Sequence, residues 1–385
     1  MYSLNQYGHM IRDSVRMQAY TEALRRAVRP GDVVVDMGAG TGILALMACQ
    51  FGARHVYAIE TNPLILTGRD MASANGFADR ITFIRSMVQQ AELPEKVDLV
   101  MGDLRGRLPI SEVITSAFGY ARAHFMKPDA RFLPQKDILY AAPIGYAEKW
   151  EDEILRPWVH NPMGLSLHTV MPMLTNSVLP DPVETPDCVL TPQVWSTLDY
   201  VAARDEKRPD AMTWAIDEPV TLHFIAVWFD AVLYEDAGDS VGYSNAPGVR
   251  APQVHQRILL PFSRPLELNR GDTLAIRLTA DPYTDDHNFR WHTSVTSEAA
   301  SMPREEFKQN TFYSQPLVDI HKRGTRFVPT LKPGGRTLGR ALALMDNGRS
   351  LADVAAQLAA EFPGSFVDSA AALAFVADLS QRYSD

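Results

Sequence analysis

The sequence predicts a doubly wound α/β domain, then an antiparallel β domain, then a small helical domain at the C-terminus. Three observations support this fold class. Strand and helix patterns alternate over residues 1–130, as in a parallel sheet with crossover helices. From residue 131 prolines become frequent and strand patterns follow one another without helices between them. From residue 322 a strand pattern precedes three helical ones.

The α/β region begins with helical periodicity at residues 12–28 (RDSVRMQAYTEALRRAV). Apolar runs with strand character and amphipathic helical runs then follow in turn. The predicted strands are VVVDM (33–37), HVYAIE (55–60), ITFIRSM (81–87) and VDLVMGD (97–103). The predicted helices are ILALMACQFGA (43–53) and NPLILTGRDMASANG (62–76).

The second region, residues 131–321, has strand patterns that indicate an antiparallel barrel or sandwich. Residues 148–180 interrupt it with what we predict to be short amphipathic helices. The predicted strands are DILYAAPIGY (137–146), VTLHFIAVWFDAVLY (220–234), QRILLPF (256–262), DTLAIRLTA (272–280) and FRWHTSV (289–295).

The third region, residues 322–385, is predicted to start with a strand at RFVPTL and a turn at PGG. A helix at RTLGRALALMDNG follows and ends in an Asn-Gly cap. Ser350 is the predicted N-cap of a second helix, with Asp353 three residues on as an acidic variant of the capping box. Asp368 is the predicted N-cap of a third helix.

Composition restricts the functional classes. The net charge of −9 argues against a broad nucleic-acid-binding face. Cys49 and Cys188 lie far apart in apolar settings, which suits neither a disulfide framework nor a zinc cluster. The N-terminal stretch lacks the apolar core of a signal peptide, and no apolar run has the length of a membrane span. We therefore expect a cytoplasmic enzyme with no bound metal and no nucleic-acid or membrane partner.

The glycine turn after the first strand, GAGTG, predicts a nucleotide-type site. Its spacing differs from the dinucleotide pattern GxGxxG. Asp36 precedes Gly38, where a carboxylate would repel a pyrophosphate, and Glu60 ends the next strand, where it can accept both ribose hydroxyls. These features favour S-adenosylmethionine on a Rossmann-like domain, with Asp36, Gly38, Gly40 and Glu60 at the cofactor. The alternative is a turn whose glycines serve helix–strand packing alone.

The stretch VVVDMGAGTGILALMACQFGARHVYAIE resembles the cofactor motif of the protein arginine methyltransferases. The upstream stretch YGHMIRDSVRMQAY is similar to that family's N-terminal helix. The resemblance implies that Arg16 binds the methionyl carboxylate and that Met10 lies near the sulfonium. Tyr7 stands where the family usually has histidine. Gln89 stands where the family has the glutamate that accepts from adenine, and a Gln carbonyl can still accept that bond.

The loop after the fourth strand, GDLRGRLPISEV, aligns with the loop that carries two glutamates in the family. Asp103 and Glu112 are nine positions apart, as those glutamates are, and Gly106 matches the glycine between them. A guanidinium is protonated at neutral pH and is a poor nucleophile. Two carboxylates can hold its forked donors and localise positive charge away from the attacking nitrogen. The resemblance thus implies that Asp103 and Glu112 are catalytic; the alternative is a solvated loop in which Arg105 pairs with one carboxylate.

Two departures from the family pattern keep the acceptor group open. Asp103 is shorter than glutamate, and the family's threonine–histidine–tryptophan loop is missing near PQVHQ, residues 252–256. In the family that histidine faces an aspartate matched here by Asp13, and His255 is a possible substitute or a structural histidine. A primary or secondary amine would suit two carboxylates as well as arginine does.

The remaining two regions suggest partners. Residues 148–180 fall where the family has a dimerisation arm, which implies a homodimer; the alternative is a lid on its own chain. Residues 322–385 resemble the small winged-helix modules that recognise leader peptides; the alternative is a helical cap on the barrel.

Taken with the resemblance, these patterns predict an S-adenosylmethionine-dependent N-methyltransferase. We expect it to act on an arginine or amine of a peptide, with the precursor of a ribosomally made natural product as one candidate. Two alternatives are an O- or N-methyltransferase of a small metabolite and a catalytically silent protein that binds the cofactor or a peptide.

Overall fold

The computed structural model describes the chain except residues 1, 107, 111, 182–187, 203, 206–208, 250–253, 284–285, 299, 301, 315–325, 346–347 and 385. At residues 112, 181, 204–205, 282–283 and 286 it describes the backbone only. The chain forms two compact units, Met1–Gln315 and Pro316–Asp385. The first unit contains an α/β region and an antiparallel region, and the second contains helices.

A parallel sheet forms the base of the first unit, and the sequence-predicted strands in it are confirmed. Its strands are β1 (Val33–Met37), β2 (His55–Glu60), β3 (Ile81–Arg85), β4 (Val97–Gly102) and β5 (Met126–Leu133). Their order is β3-β2-β1-β4-β5, so the winding direction reverses between β1 and β4. Ligands of such sheets bind outside the carboxyl ends of the strands at this reversal, which is where the glycine turn lies.

The helices of this region follow the predicted order but are shorter. ILALMACQFGA forms α3 (Ile43–Gln50), and NPLILTGRDMASANG divides into a 3₁₀ turn (Pro63–Leu66) and α4 (Thr67–Ala74). Two elements have no counterpart among the predicted ones: α5 (Glu112–His124) and β5, which extends beyond residue 130. Further 3₁₀ turns are Ala78–Arg80 and Val88–Gln90.

The N-terminal segment consists of two helices, α1 (Leu4–Arg12) and α2 (Ser14–Ala27), where the resemblance implied one. Asp13 causes the break. Its backbone N–H donates to the carbonyl of His9 at the end of α1, and its side chain accepts from the N–H of Arg16 at the start of α2. No residue of α1 is buried, whereas α2 packs Tyr20 and Leu24 into the core.

The antiparallel region is confirmed and consists of two sheets. Its strands are β6 (Lys136–Ile144), β7 (Leu179–Asp181), β8 (Gln193–Asp199), β9 (Arg204–Asp205), β10 (Met212–Ala215), β11 (Val220–Asp236), β12 (Asp239–Ser244), β13 (Arg257–Leu268), β14 (Thr273–Tyr283), β15 (Asp286–Thr296) and β16 (Glu305–Asn310). One sheet has the order β7-β13-β11-β6-β8-β9, with β12 also paired to β11, and the other has the order β10-β14-β15-β16. A 3₁₀ turn (Thr311–Ser314) follows β16.

Two tryptophans join these sheets. The indole N–H of Trp195 on β8 donates to the carbonyl of Leu278 on β14 at 2.9 Å. The indole N–H of Trp291 on β15 donates to the carbonyl of Pro261 on β13 at 3.2 Å. Both rings are buried, so each satisfies its one polar atom while filling the core between the sheets.

The segment at residues 148–180 contains short helices, as predicted. They are α6 (Ala147–Trp150), a π-helical turn (Glu151–Leu155), a 3₁₀ turn (His168–Val170) and α7 (Met171–Leu174). Trp150 and Ile154 pack on the outer face of the first antiparallel sheet, against Phe224 of β11. Met163 and Leu165 are 61% and 58% exposed.

The second unit contains the three predicted helices, α8 (Pro333–Met345), α9 (Leu351–Glu361) and α10 (Ser369–Tyr383). Ser350 and Asp368 are N-caps as predicted, each accepting the backbone N–H three residues on. The helices share a core that includes Val354, Leu358 and Val376.

Two sequence predictions for this unit are wrong. RFVPTL is not a strand, and PGG is the first turn of α8, where the fixed φ of Pro333 favours helix initiation. The predicted Asn-Gly cap falls partly on residues outside the described part of the chain. Among the described residues of this unit there is no strand, so the winged-helix assignment stays a prediction. No helix in the described ranges is both long and apolar enough to cross a membrane.

Candidate active site

A cavity of about 670 Å³ opens at the carboxyl ends of β1, β2 and β4. The glycine turn after β1, the end of β2 and the loop after β4 form its floor and walls, and α1 closes one side. Residues 254–256, which precede β13, complete it from the antiparallel region. The cavity therefore brings together most of the predicted site residues: Tyr7, Met10, Arg16, Gly38, Gly40, Glu60, Gln89 and Asp103.

The glycine turn has a backbone that only glycine adopts without strain. Gly38 and Gly40 have φ angles of +70° and +58°. A Cβ on Gly38 would lie 2.3 Å from a methyl carbon of Leu104, and one on Gly40 would lie 2.5 Å from the ring of Tyr7. The turn therefore presents bare backbone to the cavity, as a site for close approach of a nucleotide requires.

The two carboxylates predicted beside this turn occupy different environments. Glu60 lines the cavity, and its carboxylate accepts the backbone N–H groups of Gly40 at 3.1 Å and Asn62 at 2.8 Å. Asp36 is fully buried on β1, outside the cavity wall. Burial, reinforced by the charge of Glu60, raises the pKa of the Asp36 carboxyl to about 7. Glu60 can thus contact a ligand directly, whereas Asp36 is buried on β1 and does not line the cavity.

The cofactor residues implied by the resemblance also line the cavity. The carbonyl of Met10 accepts from Nη1 of Arg16 at 3.4 Å, which joins α1 to α2. The Tyr7 ring covers Gly40, and its hydroxyl accepts from the amide of Asn62 at 3.4 Å. The side-chain amide of Gln89 donates to the hydroxyl of Ser116 at 3.1 Å.

The loop after β4 places Asp103 in a buried cationic environment. Its Oδ2 accepts Nε–H of Arg16 at 2.7 Å and lies 3.5 Å from Nε2 of His255, and its Oδ1 accepts from Nη1 of Arg105 at 3.2 Å. Burial by itself would raise the pKa of the Asp103 carboxyl, but Arg16, His255 and Arg105 together hold it well below its usual range. Asp103 is therefore ionised at neutral pH. Arg105 thus pairs with a carboxylate of its own loop, as the alternative hypothesis from the sequence stated.

Arg105 also connects this loop to the antiparallel region. Its Nε and Nη2 donate to the carboxylate of Asp137 on β6 at 2.7–3.0 Å, and its Nη1 donates to the hydroxyl of Tyr20 at 2.9 Å. The hydroxyl of Tyr200 donates to the same carboxylate at 2.7 Å. Arg105 and Asp137 are 2% and 0% exposed in this bidentate pair.

His255 reaches the loop after β4 that carries Asp103 and Arg105, called the acid loop below, from the other side of the cavity. Its Nδ1 donates to the carbonyl of Gly106 at 3.2 Å, and its ring stacks on Tyr243 at a centroid distance of 6.0 Å. Asp13 accepts the backbone N–H of the neighbouring Val254 at 3.1 Å. Asp13 thus contacts the segment where the family's histidine loop was expected, but through the backbone, while His255 faces Asp103.

Glu112, the second predicted carboxylate, is the first residue of α5. Its side chain lies outside the described part of the structure, and its catalytic role stays a prediction. Sequence reasoning missed Asp137, Tyr20, Tyr200 and Tyr243, which surround Arg105 and lie on other elements. The sequence signal available was the proximity of Arg105 to Asp103, which does not point to these distant partners.

Comparisons with known proteins agree with this geometry. Residues 18–108 match the family model "Ribosomal protein L11 methyltransferase (PrmA)". The chain is 30% identical over 290 residues to the probable histone-arginine methyltransferase CARM1 of Oryza sativa subsp. indica, covering 70% of this chain and 53% of that protein. It is 26% identical to protein arginine N-methyltransferase 1 of Saccharomyces cerevisiae, covering 72% of this chain and 82% of the relative. The chain spans about half the length of the first curated relatives it matches.

Solved structures show the same fold. The Trypanosoma brucei PRMT1 enzyme–prozyme heterotetrameric complex with AdoHcy superposes with a TM-score of 0.68 at 22% identity, covering 80% of this chain and 98% of that chain. Protein arginine methyltransferase 10 of Arabidopsis thaliana gives a TM-score of 0.67 at 20% identity, covering 80% of this chain and 97% of that chain. The resemblance drawn from the sequence is confirmed: the chain is homologous to the protein arginine methyltransferases and shares their fold.

Proposed function

We propose that the protein is an S-adenosylmethionine-dependent N-methyltransferase that acts on a guanidinium or amine of a peptide side chain. The observation that carries the proposal is a single cavity in which a bare glycine turn with Glu60 adjoins the ionised carboxylate of Asp103. The turn and Glu60 suit a nucleoside, and the carboxylate suits a cationic or N–H-bearing acceptor. Homology to the arginine methyltransferases supports the same reaction class.

The residues present fit the cofactor. A Cβ at Gly38 or Gly40 would collide with the cavity wall, so the space over the turn depends on glycine. Glu60 would accept from the ribose hydroxyls. Gln89 uses its amide nitrogen toward Ser116, which leaves its carbonyl oxygen for the adenine amine. When bound, the cofactor would supply an electrophilic methyl group.

Arg16 would hold the methionyl carboxylate while it also holds Asp103. A guanidinium carries five N–H donors, and the Arg16 Nε–H is directed at Asp103. Nη1 of Arg16 already donates to the carbonyl of Met10 at 3.4 Å and to Sδ of Met17 at 3.2 Å, so Nη2 would be the donor to a second carboxylate. One arginine would then orient both the cofactor and the acid loop.

Asp103 would orient the acceptor and balance its charge. Because its pKa lies well below its usual range, the carboxylate accepts hydrogen bonds at neutral pH and does not take up a proton. It therefore favours an acceptor that carries or develops positive charge on nitrogen. Glu112 is proposed as the second carboxylate, at the start of α5.

A methyl-transfer assay set beside cofactor binding tests this function. Labelled S-adenosylmethionine would be supplied with peptides that contain arginine, lysine or neither. Transfer to nitrogen of one peptide class supports the proposal. Cofactor binding without transfer to any peptide or amine would favour a silent binding protein, and transfer to a hydroxyl would contradict N-methylation.

The peptide itself is proposed to engage the second unit. This unit has its own core of buried residues, including Val354 and Leu358, which supports independent folding. A module of this kind beside a methyltransferase would tether a long substrate and raise its local concentration. A ribosomally made precursor peptide is the substrate we would test first.

A homodimer is proposed through residues 148–180. The exposed Met163 and Leu165, with Met173 at 40% exposure, give this segment an apolar surface. Large side chains of this kind are common in interfaces between subunits.

A further inference from the structure

Arg105 occupies a position between three elements of the first unit. It belongs to the acid loop after β4, its fork holds Asp137 on β6, and its remaining nitrogen contacts Tyr20 on α2 and Asp103. The side chain is 2% exposed. Arg105 lies in the cavity wall together with Asp103, and the hydrogen bonds named above all go to other residues of the first unit.

The geometry suits arginine and no other side chain. A guanidinium presents donors in a fixed plane, and here two of its nitrogens face the Asp137 carboxylate while the third faces Asp103. Because Asp137 is fully buried on a paired strand, it is a fixed anchor. The orientation of Asp103 relative to the glycine turn is thereby tied to the antiparallel region.

We propose that Arg105 is a positioning residue for the proposed methyl transfer: it holds the Asp103 carboxylate in its orientation by linking the acid loop to Asp137. This inference rests on the proposed function. The positive charge of Arg105 stabilises the Asp103 carboxylate, and the ion pair of Arg105 with Asp137 fixes the orientation of that carboxylate. Substitutions at Arg105 and at Asp137 can separate these two effects. A merely structural arginine would contribute neither.

Several groups face Asp103 and affect the ionisation of its carboxyl. Two arginines come from α2 and from the acid loop, a histidine comes from the segment before β13, and two phenols come from α2 and β12. They are Arg16, Arg105, His255, Tyr20 and Tyr243. Removal of Arg105 leaves Arg16 and His255 in place, so Asp103 should stay a carboxylate at neutral pH but take up its proton at a higher pH than before.

The test compares variants at Arg105 and Asp137 by the pH dependence of kcat. The acid limb is the part of the pH profile in which kcat falls as Asp103 takes up its proton. Arg105→Met should move this limb to higher pH by about one unit, because loss of one cationic neighbour has at least this effect on a carboxyl pKa. The same variant should lower kcat. Arg105→Lys should return the acid limb toward wild type while kcat stays low, because one ammonium cannot reproduce the fork. Asp137→Asn should lower kcat without raising the acid limb, because Arg105 keeps its charge.

Arg131→Met is the matched control for stability. Arg131 makes a mostly buried ion pair with Asp32 at 2.7 Å, outside the cavity wall. Its loss should lower Tm and leave the acid limb in place. If Arg105→Met lowers Tm in the same way and the acid limb does not move, Arg105 is structural and the proposal is overturned.

Two further measurements keep the proposal testable if Arg105→Met does not fold or if the protein shows no turnover. If Arg105→Met does not fold, the double variant Arg105→Met/Asp137→Leu removes both buried charges and should show the same shift. NMR titration of ¹³C-labelled aspartate carboxyls, with Asp103 assigned through Asp103→Asn, measures the ionisation without any reaction. If the Asp103 midpoint is higher in Arg105→Met than in wild type, while the wild type transfers no methyl group, the proposed function is refuted and the link between Arg105 and Asp103 is kept. An unchanged midpoint would refute the link.

Discussion

Nε of Arg16 donates to Oδ2 of Asp103 at 2.7 Å, and both side chains are more than nine-tenths buried. One ion pair thus connects the residue expected to hold the cofactor carboxylate with the residue expected to hold the acceptor. Binding at one side therefore changes the charge available at the other. We therefore expect substitution of Asp103 to lower methyl transfer without lowering cofactor affinity.

Asp103→Asn should remove most turnover while cofactor affinity stays equal to or rises above that of the wild type. The neutral amide no longer balances charge on the acceptor, and Arg16 is released from a competing carboxylate. Leaving two buried arginines with fewer counter-charges should also cost about 3–5 kcal/mol of stability. Steady-state kinetics, calorimetry and thermal unfolding measure the three effects.

Glu112→Gln serves as the companion variant. It should also lower kcat strongly, with cofactor affinity and Tm near wild type, since no contact to the cofactor is expected of it. If both single variants methylate at the wild-type rate, the mechanism with two carboxylates is wrong.

Glu60→Ala should weaken cofactor binding more than tenfold, because a charged acceptor typically contributes about 1.5–3 kcal/mol. Glu60→Gln keeps an oxygen for the N–H of Gly40 and should give an intermediate loss. Glu95→Ala, at a carboxylate that pairs with Arg54 on the surface, is the control. Calorimetry that finds the same affinity for Glu60→Ala and wild type would remove Glu60 from the site.

Asp36 gives a pH dependence of stability. Its pKa is raised to about 7 in the folded state, so its contribution to stability is greatest below the unfolded pKa and is lost as pH rises through 7. Asp36→Asn should therefore raise Tm relative to wild type, with a difference that grows between about pH 4 and pH 7 and is constant above. Thermal unfolding across pH measures it, and a difference that is the same at every pH would show that Asp36 ionises normally.

Local patterns predicted the strands of the parallel sheet, the glycine turn and the N-caps at Ser350 and Asp368, because each depends on residues a few positions apart. The break at Asp13 was missed because helical periodicity continues across it, while the cap bonds at His9 and Arg16 decide the boundary. The partners of Arg105 were missed for a different reason. Asp137 is 32 positions away and Tyr200 is 63 positions from Asp137, and long-range contacts of this kind follow from the packing of the two regions.

Deletion of residues 151–180 should yield monomers and weaken cofactor binding, if this segment docks on the cofactor domain of a second subunit. Its exposed Met163 and Leu165 provide the apolar surface. The double variant Met163→Ser/Leu165→Ser is a milder test that keeps the chain length. Analytical ultracentrifugation measures the oligomeric state. A wild-type protein that is monomeric at micromolar concentration would refute the dimer.

Truncation after residue 315 tests the role of the second unit. The two units are compact by themselves, so the first should stay folded and keep its affinity for S-adenosylmethionine. Methylation of a full-length precursor should fall by a factor of 10² or more, because a tether raises the effective concentration by about that much. A short peptide that contains only the methylated segment, supplied at high concentration, should react equally with the truncated and the full-length protein. Loss of activity on both substrates, together with a lower Tm, would instead show that residues 316–385 brace the first unit, and the proposal of peptide recognition would then be withdrawn.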